Sequence, residues 1–202
     1  MQKEVRINSL FGETIYQTNI DNKEKINKEI TPHIEKFVKA SPGSTAATTD
    51  VKGNTMFTDL EEAKDNLHTD PKYKVLFTEL QFYISDFLKA KGYSQDKFDA
   101  HITKAWATYT VKDQYIASHK HTASHFSMVY YVRNDDMGDI HFEKELAAQT
   151  GLFIPPTKEY IVDWNQFNFA SYIFPVKTGD FLIFPSGLLH YTQTNTKDEP
   201  RI

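Results

Sequence analysis

Hydrophobic positions change their period near the middle of the chain. Up to Gly92 they recur at helical spacing, and beyond it they alternate. Asp21 reads as the N-cap of a helix running to about Lys39, with Ile26, Ile30, Ile34, Phe37 and Val38 on one face. Pro32 lies inside that stripe and should kink or split the helix. A second helix starts at Asp70, as N-cap, with Pro71 at the first helical position. Its buried stripe is Leu76, Leu80, Tyr83, Ile84, Phe87 and Leu88, and Gly92 ends it. Ile7 to Tyr16 reads as a short strand pair turning at Gly12, and a short helix is expected around Leu60 to Leu67. Ser41 to Asn54 is small, polar and glycine-bearing, the composition of a loop able to cover a site.

The second half predicts strands. Ile102 to Val111 alternates around Trp106 and Tyr109. Phe126 to Val132, Ile140 to Phe142, Tyr172 to Val176 and Phe181 to Phe184 follow, separated by turn signals at 134–138, Pro155-Pro156 and Thr178-Gly179-Asp180. Many short strands after a helical section imply an α+β, mainly β fold: an antiparallel barrel or sandwich with helices on one side. The reading is one domain over 1–202, with 1–100 a helical buttress and 101–202 the strand core.

Composition narrows the chemistry. The 202 residues include eight histidines and no cysteine, so thiolate zinc sites, iron–sulfur clusters, disulfides and cysteine nucleophiles are excluded. A metal here must be held by imidazole, carboxylate or water. The formal net charge of −4 gives no strong nucleic-acid signal. No apolar run is long enough for a membrane span, and the first residues lack the apolar core of a signal peptide, so a cytoplasmic protein is expected. Oligomeric state is left open.

The histidines are clustered. His119, His121 and His125 fall within seven residues. Side chains two apart on a strand share a face, so His119 and His121 can converge on one ion. A third ligand should come from another strand, and His190, delivered by the turn after Phe181 to Pro185, is the strongest candidate. His125 and His141 are pocket neighbours at most; His33, His68 and His101 read as incidental. Trp106 and Trp164 read as packing residues before substrate platforms.

Taken in order, these segments resemble a known family. His119 to Tyr131 reads H-x-H-T-x-S-x-F-S-x-V-Y-Y, followed by Gly138-Asp139-Ile140-His141-Phe142, then Gly179 to Ser186, His190 and Arg201. The pattern resembles the iron(II)/2-oxoglutarate-dependent oxygenases, and most of all the oxygenase branch common in marine bacteria and their phages. The resemblance implies a double-stranded β-helix, a jelly-roll and cupin-like barrel with N-terminal helices buttressing it. It implies iron(II) held by His119, His121 and His190, and 2-oxoglutarate gripped at its far carboxylate by Arg201. A hydroxyl from Tyr109, Tyr115, Ser127 or Tyr131 would assist. The implied reaction takes O2 and an unknown substrate, hydroxylates a C–H bond and releases succinate and CO2.

The chain also departs from the wider family, which more often has Asp or Glu where His121 stands. Asp139 or Glu143 are nearby acids able to replace it. Were His121 the first ligand, Ala123 would occupy the next ligand place, as in the related halogenases. Two rival readings stand beside hydroxylation: a cupin-like metal enzyme that does not use 2-oxoglutarate, and a non-catalytic barrel serving as a binding or structural module.

Overall fold

The computed structural model describes residues 12–40, 54–56, 66–97, 99–144, 158–165 and 168–202. The expected loop at Ser41 to Asn54 (apart from Asn54), residues 60–65 of the expected short helix, residues 7–11 of the expected strand pair and the Pro155-Pro156 turn lie outside them.

The helical half forms two long helices, α1 (Lys23–Ala40) and α2 (Lys74–Ala90). Pro32 does not split α1. It is exposed and so is Lys28, one turn earlier, so water can satisfy the carbonyl that proline leaves without its N–H partner. The Asp70 carboxylate accepts the Lys72 N–H at 2.9 Å, but the turn it caps is 3₁₀, Pro71–Tyr73, and α2 begins only at Lys74. Gly92, at φ +79°, closes α2: its N–H reaches the Lys89 carbonyl and the Tyr93 N–H reaches Leu88. That pair of bonds is the usual left-handed helix stop.

Among the described residues the strands are β1 (Tyr16–Asn19), β2 (Asn54–Met56), β3 (Ala107–Tyr109), β4 (Phe126–Tyr130), β5 (Ile140–Glu143), β6 (Ser171–Phe174), β7 (Asp180–Pro185) and β8 (Leu189–Thr192). They form two antiparallel three-stranded sheets, ordered β1-β7-β4 and β6-β5-β8, and a β2-β3 pair. Among the described residues no closed barrel forms. Outside these strands, single bridges pair His119 with His190 and Thr110 with Arg201. The second arm of the expected N-terminal strand pair is corrected too: Glu13 to Ile15 are not strand, and β1 starts at Tyr16 and adds to the edge of β7. Ile102 to Val111 is strand only at β3, paired with β2, with single bridges at Ala105 and Thr110.

Strand β7 explains the layering. All of Asp180 to Phe184 is buried, and alternate residues serve different cores. Phe181 and Ile183 pack against the helices with Ile26, Ile30, Ile34, Leu80, Tyr83 and Phe87. Leu182 and Phe184 face the other way, onto Tyr131, Ile140 and Phe142. The rings of Phe142 and Phe184 meet edge to face at 5.0 Å, joining the two sheets. The helices therefore brace the outer face of one sheet and leave its inner face for a site.

Candidate metal centre and anion pocket

The inner face of the second sheet is set by register. Phe142 lies opposite Tyr172 on β6 and His190 on β8, so these three side chains share one row on one face. The next row is Phe174, Ile140 and Thr192. His190 is 4 % exposed, walled by Phe184 at 4.8 Å and Phe142 at 6.3 Å between ring centres.

Three histidines meet there. His119 and His190 exchange backbone hydrogen bonds at 2.9 Å in each direction, which sets their side chains together. The His121 N–H donates to the Ser186 carbonyl at 2.9 Å. One ligand atom from each of His119, His121 and His190 lies within 4.8 Å of the others. The Nδ1 atoms of His119 and His190 sit 2.8 Å from the carbonyls of Ala117 and Leu188. A carbonyl only accepts, so each Nδ1 carries the proton and each Nε2 presents a lone pair. Burial, with the neighbouring imidazoles, lowers His190 to about 4 despite the Leu188 carbonyl, which favours its charged form. Burial and His119 lower His121 as well. Neutral imidazoles with converging lone pairs suit a divalent transition ion.

One row deeper the chemistry changes sign. The Thr192 hydroxyl accepts the Ile116 N–H at 2.9 Å and Arg201 Nη2 at 2.7 Å, so its own proton remains available. Arg201 is 4 % exposed, and its Nη1 donates to the carbonyls of Met137 and Gln193, both at 2.9 Å. Among the described residues no carboxylate forms an ion pair with it. Gly138, at φ +105°, lets this guanidinium approach: a Cβ there would lie 3.0 Å from Nη1. Tyr131, 5 % exposed and in the field of Arg201, has a buried hydroxyl with no hydrogen-bond partner among the described residues. Burial drives that phenol well above its ordinary range, against the favourable field of Arg201, so it stays a neutral donor.

A strand advances about 6.6 Å over two residues. The histidine cluster and the buried Arg201 guanidinium, which bonds Thr192 two residues after His190, thus lie about one small dicarboxylate apart. Residues 104–202 match the model of a family described as "Putative 2OG-Fe(II) oxygenase". Over that strand-rich half, the chain is similar to the 2OG-Fe(II) oxygenase family. No curated protein matches it.

Against that family's pattern the residues sort clearly. His119, His121 and His190 come together, and His119 is present in the cluster, so Ala123 takes no ligand place. Asp139 and Glu143 do not join: Asp139 accepts the Val176 N–H, and Glu143 accepts the Ser118 hydroxyl. His125 is exposed. His141 pairs with Tyr191 on the opposite face of β5 from His190 and stacks on it at 4.5 Å. Of the four hydroxyl candidates, Tyr131 is the one coupled to Arg201. Tyr109 packs toward the helices and feels Glu35 and Arg133, Ser127 bonds to Ser186 at 2.9 Å, and Tyr115 is half-buried. Three contributors escaped the sequence reading. Thr192 carries no motif beyond lying two residues after His190. Ser186 was visible only as part of the strand motif. Trp106, read as packing, lies 5.4 Å from the ring of His121.

Proposed function

We propose that this protein is an iron(II)- and 2-oxoglutarate-dependent oxygenase that hydroxylates a C–H bond of its substrate. The observation that carries the reading is Arg201: a buried cation with no acidic partner among the described residues, beside the unpartnered Tyr131 hydroxyl and one row below His190. A buried unpaired charge is costly, so such a pocket fits an anion supplied by a ligand.

The residues fit both groups. His119, His121 and His190 would hold the iron, and Arg201, with Tyr131 and Thr192 as hydroxyl donors, would bind the far carboxylate of 2-oxoglutarate. When bound, these groups couple reduction of O2 to oxidative decarboxylation of 2-oxoglutarate, giving succinate, CO2 and one oxygen atom for the substrate. The chain's own task is orientation. The Ala117 and Leu188 carbonyls hold the Nδ1 protons, so the histidines meet the metal as neutral donors without rotating. The Met137 and Gln193 carbonyls take both Nη1 hydrogens and fix the guanidinium plane, leaving Nε and one Nη2 hydrogen for a carboxylate. Ile140, Phe142, Leu182 and Phe184 keep water from the space between the sheets.

The test is anaerobic mixing of the protein with iron(II) and 2-oxoglutarate. A metal-to-ligand absorption band in the visible is expected, followed by succinate on admission of air. Metal binding without the band or succinate would favour a cupin-like enzyme. No metal binding at all would favour a binding module.

A further inference from the structure

Ser186 lies at the turn after β7 and is 1 % exposed. Its hydroxyl is shared by two others, Ser124 at 2.8 Å and Ser127 at 2.9 Å. Ser124 belongs to the segment that leaves His121, and Ser127 sits on β4. The backbone of Ser186 is engaged in the same place. Its carbonyl takes the His121 N–H at 2.9 Å, and its N–H reaches the His125 carbonyl at 3.2 Å. The turn is then closed by the Leu188 N–H on the Pro185 carbonyl at 3.0 Å. Leu188 in turn supplies the carbonyl that orients the His190 ring.

One five-residue stretch, 185–189, thus governs two ligands through different groups. Ser186 fixes the backbone of His121, and Leu188 fixes the ring of His190. The 119–125 segment is irregular and its turn includes Ala123 at φ +64°, so no strand ladder holds it in register. Its anchors are the bridge at His119 and the bonds around Ser186.

We infer that Ser186 is the positioning residue of the metal centre: its hydroxyl, through Ser124 and Ser127, presets the separation of His121 from His190 before any ion arrives. The inference rests on the metal reading above. It needs only that the three histidines bind an ion, not that 2-oxoglutarate follows. Preset ligands bind more tightly because less ordering remains to be done on binding.

The experiment is an equilibrium titration of the full-length protein with cobalt(II), followed by its visible ligand-field absorption, with thermal unfolding measured in parallel. Ser186→Ala is expected to weaken cobalt binding about 10–100-fold, the usual cost of losing a group that orients ligands. The shape of the cobalt spectrum should change as well. The double variant Ser124→Ala/Ser127→Ala removes the same two hydrogen bonds without touching residue 186. It should reproduce both effects, and it decides the matter if Ser186→Ala does not fold. Ile30→Val, in the helix-facing core, is the control for general destabilisation: it should lower the melting temperature and leave the spectrum and affinity as in the parent. Folded Ser186→Ala or double variant with parental affinity and spectrum would overturn the inference. A change of equal size in Ile30→Val would reduce Ser186 to a general stabiliser and overturn it too. A parent that binds no cobalt would remove the metal reading itself, a result distinct from a parent that binds and variants that match it.

Discussion

The two faces of the β1-β7-β4 sheet follow different rules. On the helix-facing side the core is aliphatic and aromatic, and three of its tyrosine hydroxyls are engaged. Tyr130 donates to Asn27 at 2.6 Å, Tyr16 donates to Asp86 at 3.0 Å, and the Tyr83 oxygen accepts the Asp21 N–H at 3.3 Å. On the inner side a tyrosine hydroxyl has no partner and an arginine has no carboxylate among the described residues, while a buried histidine is kept neutral. Natural interiors rarely leave such groups unsatisfied. The difference separates a face built for stability from one built to receive a charged ligand.

The largest test of that contrast removes a ligand. His190→Ala should weaken iron(II) or cobalt(II) binding by more than the roughly 100-fold that loss of an orienting partner costs. Metal content after equilibrium dialysis measures it. The matching cut on the other face is Ile30→Ala, expected to cost about 2–5 kcal/mol of stability by denaturant unfolding. Metal affinity of the folded protein should stay unchanged. If metal affinity fell with Ile30→Ala as it does with His190→Ala, the two faces would not be separate in function.

Acid offers an intermediate test. The His190 imidazole is held to about 4 when folded, against an ordinary value near 6.5 when unfolded. The unfolded chain therefore takes up a proton first as pH falls. The contribution is fully present above about 6.5 and is lost on the way down to 4, amounting to about 3 kcal/mol from this group in metal-free protein. Denaturant unfolding at a series of pH values reads the slope, which His190→Gln should flatten.

Much of this organisation was legible in the sequence. The stripes of α1 and α2 follow from periodicity, because each buries a definite face, and strands β4 to β7 follow from short apolar runs between turn signals. His119, His121 and His190 were legible from clustering and order, and Arg201 from the family resemblance. The pairing of β1 with β7 was not, since a four-residue polar strand, YQTN, has no alternation to betray it. Nor was the choice of Tyr131 over Tyr109. Both are strand-region tyrosines, and which face each takes depends on register. Closure of a full barrel was expected from the family, yet the described residues form separate sheets, and His119 and Arg201 pair only through single bridges. Thr192 and Ser186 gain their roles from partners 76 and 59 residues away, which no local pattern encodes.

Arg201→Lys keeps the charge but loses the planar fork and should weaken 2-oxoglutarate binding about 10–100-fold, as expected for a charged hydrogen-bonded contact. Metal affinity should change little. The stabilisation that 2-oxoglutarate gives to metal-loaded protein, about 2.7 kcal/mol at 100 times its Kd, should shrink accordingly in a thermal shift assay.

The smallest change is the most direct test. Tyr131→Phe removes only the hydroxyl that has no protein partner. Isothermal titration of metal-loaded protein with 2-oxoglutarate, with unfolding of the ligand-free variant alongside, separates the two explanations of that orphan group. If the inner face is built for the ligand, the variant is as stable as the parent or more so, and binds 2-oxoglutarate about tenfold more weakly, the worth of one hydrogen bond to a charged group. Parental affinity together with a loss of stability would contradict the account, because the hydroxyl would then be serving the fold.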